Sequence, residues 1–137
     1  MDSLNKGILE MLSDDARMPF LEMAKSLKVS EGTIRNRVGK LVDHGVIKRF
    51  SVELGETGGV SGIVAVKTDA KKSTPAIGTS LRKLSKQVTR VFEVSGEFDL
   101  FCLIESPSVS EMNSLLERIR AAKGVVETQT FMVMNKI

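Results

Sequence analysis

Between Lys28 and Arg49 the chain carries six basic residues (Lys28, Arg35, Arg37, Lys40, Lys48 and Arg49) against two acids, Glu31 and Asp43. That is a local charge of +4 within 22 residues, in a chain of 137 residues whose total is only +3. Guanidinium and ammonium groups gathered in this way are the electrostatic footprint of a surface that meets a polyanion. The same charges also suit a solvated helix face, so the spacing of the apolar residues has to decide. Catalysis is poorly provided for. The single histidine, His44, leaves no histidine pair for zinc and no acid–base team. The single cysteine, Cys102, can form neither an internal disulfide nor a cysteine-based metal site. Trp and Tyr are absent, so aromatic stacking would fall to six phenylalanines. A binder is expected, with no catalytic site, no metal and no resident cofactor.

Hydrophobic residues make up 42% of the chain and charged residues 27%, ordinary values for a soluble globular protein. No run approaches the ~18–20 apolar residues of a membrane-spanning helix. Met1-Asp2-Ser3-Leu4-Asn5 lacks the basic and apolar regions of a secretion signal. A reducing, cytoplasmic setting follows as the expectation.

The elements that position the basic run read as three helices. Leu4, Ile8, Met11 and Leu12 recur at helical spacing and predict a helix over 3–12, weakened by Gly7 and closed by Ser13-Asp14-Asp15. Pro19 suits the first turn of a second helix with Phe20, Met23, Ala24 and Leu27 as its buried stripe. Lys28-Val29 makes a short turn, Ser30 is a good N-cap for a third helix, and Gly45 ends it. Around that third helix, Ile34, Val38 and Leu41 fall within roughly 60° of one another. Gly32, Thr33, Asn36, Gly39, Lys40 and Asp43 point the opposite way, flanked by Arg35 and Arg37. The outward face is short, polar and basic, as suits a helix entering a groove about 12 Å wide. Arg takes guanine bidentately, Asn takes adenine, and Ser, Thr and Lys suit phosphates or base edges. Val46-Ile47-Lys48-Arg49-Phe50-Ser51 turns β-like, placing Lys48 and Arg49 beside the phosphate backbone or, equally, on a charge-protected strand edge.

Gly55, Gly58, Gly59 and Gly62 mark a hinge, and beyond them the hydrophobic period changes. Ile63–Lys67 reads as a strand. Pro75 opens a helix with Ile77, Leu81, Leu84 and Val88 in one stripe. Val91–Val94 is a second strand, turned by Ser95-Gly96-Glu97. Phe98–Ile104 is almost continuously apolar, as in a strand covered on both faces. Ser108 or Ser110 caps a helix burying Val109, Met112, Leu115, Leu116 and Ile119, Gly124 stops it, and Val125–Met134 is the last strand. The order β-α-β-β-α-β is the ferredoxin-like split arrangement. Two helices on one face leave the other face of the sheet apolar and open, which predicts a dimer through the sheet. The fold class expected is therefore α+β: a three-helix domain over 1–50, a hinge over 51–62, and a ferredoxin-like α/β-sandwich domain over 63–137 that dimerises through its sheet.

Leu4 to Leu12, Asp14-Asp15-Ala16-Arg17, Leu21-Glu22-Met23-Ala24, Ser30 through Leu41 and His44-Gly45-Val46-Ile47 together resemble the Lrp/AsnC family of feast/famine transcription regulators. Gly96-Glu97-Phe98-Asp99 resembles the family's Gly-x-x-Asp turn. The resemblance runs over essentially the whole length and is weakest at 53–90. It implies a winged helix-turn-helix DNA-binding domain over 1–50, a linker strand over 51–62 and an effector-binding and oligomerisation domain over 63–137. It also implies a homodimer that assembles to a tetramer or octamer, a pseudo-palindromic double-stranded DNA operator, and a free amino acid bound between dimers. Carried over, the recognition helix is Glu31 to Asp43, with Thr33, Arg35, Asn36, Arg37 and Lys40 facing DNA and Ser30 capping it and touching phosphate. The effector pocket is implied around Gly96, Glu97, Phe98 and Asp99, with Thr128 and Thr130 from the last strand. Backbone N–H groups suit an amino acid's carboxylate, and Asp99 suits its ammonium. Asn5 departs from the Asp common in relatives, with an expected effect on local capping alone.

Residue by residue, blander roles compete. Asp99 also suits a turn cap, Thr128 and Thr130 also suit a strand by propensity, and Cys102 reads as a buried hydrophobe. Two other function classes compete. A siroheme-decarboxylase-like enzyme is disfavoured by the lone histidine, and an amino-acid sensor indifferent to DNA would need no basic helix.

Overall fold

The computed structural model describes residues 1–137 and divides into two compact units, Met1–Gly55 and Glu56–Ile137.

In the first unit, Asp2 accepts the N–H of Asn5 and starts α1, Ser3–Asp14. The helix runs two residues beyond the expected end, because Ser13 and Asp14 continue it and Asp15 caps it. Gly7 is no weak point. A Cβ there would lie 2.7 Å from Leu27 Cδ2, so its bareness gives room to that side chain of α2, Phe20–Leu27. Pro19 is the N-cap of α2 rather than its first turn, and its carbonyl accepts from Glu22 and Met23. Lys28 ends α2 in the left-handed region, at φ 57°. Ser30 then caps α3, Glu31–Asp43. Ile8, Leu12, Met23, Ala24, Ile34, Val38 and Leu41 form the core of this unit. Removing one of its fully enclosed members, as in Ile34→Ala, costs about 2–5 kcal/mol. Residues 46–51 form no strand. Val46, Phe50 and Val52 have β propensity, but no neighbouring strand supplies partners for their backbone groups.

In the second unit the elements are β1 (Val60–Thr68), α4 (Thr74–Leu84), β2 (Val88–Glu93), β3 (Leu100–Ser106), α5 (Val109–Arg120) and β4 (Val125–Met132). All strand pairs are antiparallel, in the order β2-β3-β1-β4, the ferredoxin-like sheet. Val88 does not belong to the helix stripe. Ser85 ends α4 in an extended conformation, and Val88 opens β2 fully buried. Ser108, not Ser110, caps α5 by accepting from Glu111 N–H, and Val109 is exposed rather than buried.

One face of the sheet packs through Val64, Val66, Leu100, Cys102 and Ile104 onto α4 and α5. Directly paired residues share a face. The register Ile63↔Leu103, Ala65↔Phe101, Ile63↔Phe131 and Phe92↔Phe101 therefore gathers apolar groups on the other face. Phe92 and Phe131 are exposed and Ile63, Phe101 and Leu103 half-buried, so within one chain β3 is covered on one face only. Its unbroken apolar run reflects a second face that is apolar and open.

Candidate functional site

The third helix is held by its aliphatic side and offers its polar side. Ile34, Val38 and Leu41 are buried, whereas Gly32, Arg35, Asn36, Gly39, Lys40 and Asp43 are exposed. A Cβ at Gly39 would meet nothing within 4 Å, so this face is open along its length. At the N-terminus, Ser30 Oγ accepts the Thr33 N–H at 3.1 Å and lies 2.8 Å from Thr33 Oγ1. Both hydroxyls are thus engaged in capping while staying at the surface. Arg35 donates to Glu31 Oε1 at 2.7 Å and rests over the Phe20 ring of α2, 5.3 Å from its centroid.

Arg37 is placed differently. Its guanidinium donates to the Asp2 carboxylate and, at 3.2 Å, to Asn5 Oδ1, and the side chain is half-buried. Arg37 flanks the outer face, as expected, and lies close enough to α1 to pair with it. Asn5 likewise does more than adjust local capping, since its side chain helps hold α3 to α1. The Asp2 carboxyl is kept below its ordinary value of 3.8, first by the Arg37 hydrogen bond and then by the Asn5 N–H. After α3, Gly45 adopts φ 70°, and the Ile47 N–H returns to Leu41 O at 3.0 Å. Lys48 and Arg49 follow, both exposed, in the segment that faces Leu9, Leu12 and Ser13 of α1, and Ala16 just beyond it, across an open groove.

In the second unit, the turn Gly96-Glu97-Phe98-Asp99 closes back onto β1. Asp99 N–H donates to Val66 O, and its carbonyl accepts from Val94. Asp99 Oδ2 accepts the Thr68 N–H at 2.8 Å and the Thr68 hydroxyl at 3.2 Å. Thr68 Oγ1 in turn lies 3.0 Å from Thr74 Oγ1, in the first turn of α4. Gly96 has φ 126°, and Phe98 sits under the Lys67 ammonium, 5.9 Å from the ring centroid. Thr128 and Thr130 pair with Val66 and Val64, on the helix-covered face of β4. β1 lies between β4 and β3, the strand that the turn leads into. Thr130 Oγ1 is buried with no hydrogen-bond partner. No three or more of His, Cys, Asp and Glu come together in a way that could hold a metal ion.

Residues 1–42 match the AsnC-type helix-turn-helix domain, and residues 61–137 match the Lrp/AsnC ligand binding domain. The chain belongs to the Lrp/AsnC family. The HTH-type transcriptional regulator LysM of Sulfurisphaera tokodaii is 34% identical over 135 residues, covering 98% of this chain and 96% of its own. The structure is similar to that of Escherichia coli AsnC (TM-score 0.76, 24% identity, 99% of this chain and 93% of that one). It is also similar to the feast or famine regulatory protein of Mycobacterium tuberculosis complexed with L-methionine (TM-score 0.85, 24% identity, 98% and 92%). The Lrp/AsnC chain is a transcriptional regulator with a DNA-binding and a ligand-binding domain, and neither the decarboxylase nor the DNA-indifferent sensor is favoured. Sequence reasoning about this Lrp/AsnC protein missed Asp2, Phe20, Glu31 and Thr68 as residues that position the site. The Asp2 and Thr68 contacts span more than thirty residues, so no local pattern announces them. The Glu31–Arg35 pair was detectable from its i,i+4 spacing.

Proposed function

We propose that α3 enters the major groove and that Thr33, Arg35, Asn36 and Lys40 meet the bases and flanking phosphates. Ser30 lies at the phosphate nearest the helix N-terminus, with Lys48 and Arg49 on the backbone beside the groove. Arg37 holds α3 to α1. The observation that carries this reading is the division of α3 into a buried aliphatic side and an exposed cationic one. The open sheet face joins two copies into a homodimer, which pairs further to a tetramer or octamer. A two-fold dimer reads a pseudo-palindrome whose half-sites lie about one helical turn, or a multiple of it, apart. A free amino acid, seated between dimers at the turn Gly96, Glu97, Phe98 and Asp99 with Thr128 and Thr130, adjusts affinity or assembly. The L-methionine bound to the mycobacterial relative supports an effector of that class. No helix here is long and apolar enough to cross a membrane, which fits a regulator working in the cytoplasm.

Gel shifts across operator and random duplexes test the interface. Arg35→Ala relaxes base preference by about 1–3 kcal/mol, and Lys40→Ala weakens all sequences alike and flattens the salt slope by about one. Unchanged binding in both variants rules α3 out.

A further inference from the structure

An acid on the leading turn of a helix that meets DNA is repelled by phosphate unless it has a role there. Glu31 is such a residue. It is the first residue of α3, its side chain is 44% exposed, and it grips Arg35 one turn further on. Arg35 is in turn steadied from α2 by the Phe20 ring at 5.3 Å. A guanidinium fixed on two sides keeps N–H donors for a third partner, because it has five and the carboxylate oxygen uses one. The carboxylate likewise keeps acceptor sites at the same helix end.

We infer that Glu31 and Arg35 read DNA as one unit. Arg35 takes the O6 and N7 edge of a guanine, and Glu31 accepts from the N4 amino group of a cytosine within one base step. Those are the edges each group recognises in the major groove. Glu31 thus sets specificity twice: it fixes the rotamer of Arg35, and it penalises any duplex that offers no amino group to offset its charge. Ordinary duplexes are bound less tightly as a result. The inference rests on α3 being the recognition helix.

The test selects binding sites from a randomised duplex library with the full-length wild type, Glu31→Gln, Glu31→Ala and Asp43→Asn, after thermal unfolding confirms that each is folded. Gln keeps the length and an acceptor oxygen for Arg35 but not the charge. Glu31→Gln should bind random duplex several-fold more tightly and lose about tenfold of its discrimination for cytosine at one position per half-site. Glu31→Ala should also lose guanine preference at the neighbouring position. Asp43→Asn, at the far end of α3, should shift affinity uniformly and leave the selected sequence unchanged. If Glu31→Gln and Glu31→Ala select the wild-type sequence, the pair is only a surface ion pair and the inference fails. If the wild type itself selects nothing and ignores duplex at low salt, the recognition-helix reading fails instead.

Discussion

Arg37 of α3 donates to the carboxylate of Asp2, the residue that caps α1, and so joins α3 to the start of the chain. Arg35, two positions earlier, stays at the surface with 66% of its side chain exposed. Two arginines of one short motif are thus placed differently, one tied to α1 and one held at the surface.

Arg37→Met keeps the stem and removes the donors. It should lower the thermal midpoint of the protein while leaving base preference at saturating protein unaltered, the reverse of Arg35→Ala. Melting curves paired with operator competition would decide. A loss of base preference in Arg37→Met would put Arg37 back in the groove.

The Asp2 carboxyl titrates lower in the folded chain than in the unfolded one, because Arg37 and the Asn5 N–H hold its charged form. Its contribution is therefore complete above the unfolded value of 3.8 and disappears as the pH falls through the lower folded value. Thermal midpoints followed from pH 6 downward should fall less steeply below about pH 4 in Asp2→Asn than in the wild type. Parallel curves would count against the pairing.

Cys102 is fully enclosed in the sheet core, and burial pushes its thiol up to about 11. It should stay unmodified by a soluble thiol reagent at pH 8 and react only on unfolding. Stoichiometric labelling of the native protein would contradict that.

Gly124 precedes β4 at φ 88°, and a Cβ there would lie 2.6 Å from Ile77 Cδ1. Gly124→Ala should cost about 1–3 kcal/mol, read as a lower urea midpoint at an unchanged slope.

Phe101 lies at the centre of the open sheet face, opposite Ala65 and Phe92 and at edge-on distance from Phe98. Phe101→Lys should elute from a sizing column as a smaller species while remaining folded by circular dichroism. Elution identical to the wild type would remove the sheet as the dimer interface.

Much of this was readable from spacing. Ile34, Val38 and Leu41 give α3 its inner side, and Ser30 and Gly45 its ends, because those signals are local and the helix period is stiff. Val88 misled for the same reason: it continues the i,i+3/i+4 rhythm of Ile77, Leu81 and Leu84 across Ser85, where the backbone has already become extended. Residues 46–51 misled because strand propensity has no effect without a neighbouring strand. Lys28 carries no mark of its left-handed conformation, since only the geometry between α2 and α3 demands it. The contacts of Arg37 and Asp99 lay beyond any local pattern because their partners are remote in the chain.

Both hydrogen bonds from Thr68 land on the same oxygen of Asp99. If the effector's ammonium binds at this turn, as proposed, it would find a carboxylate with one oxygen already engaged, and would either take the other or unlatch the end of β1. In the second event the Thr68–Thr74 contact would be disturbed too, and the opening turn of α4 would register the newcomer's arrival.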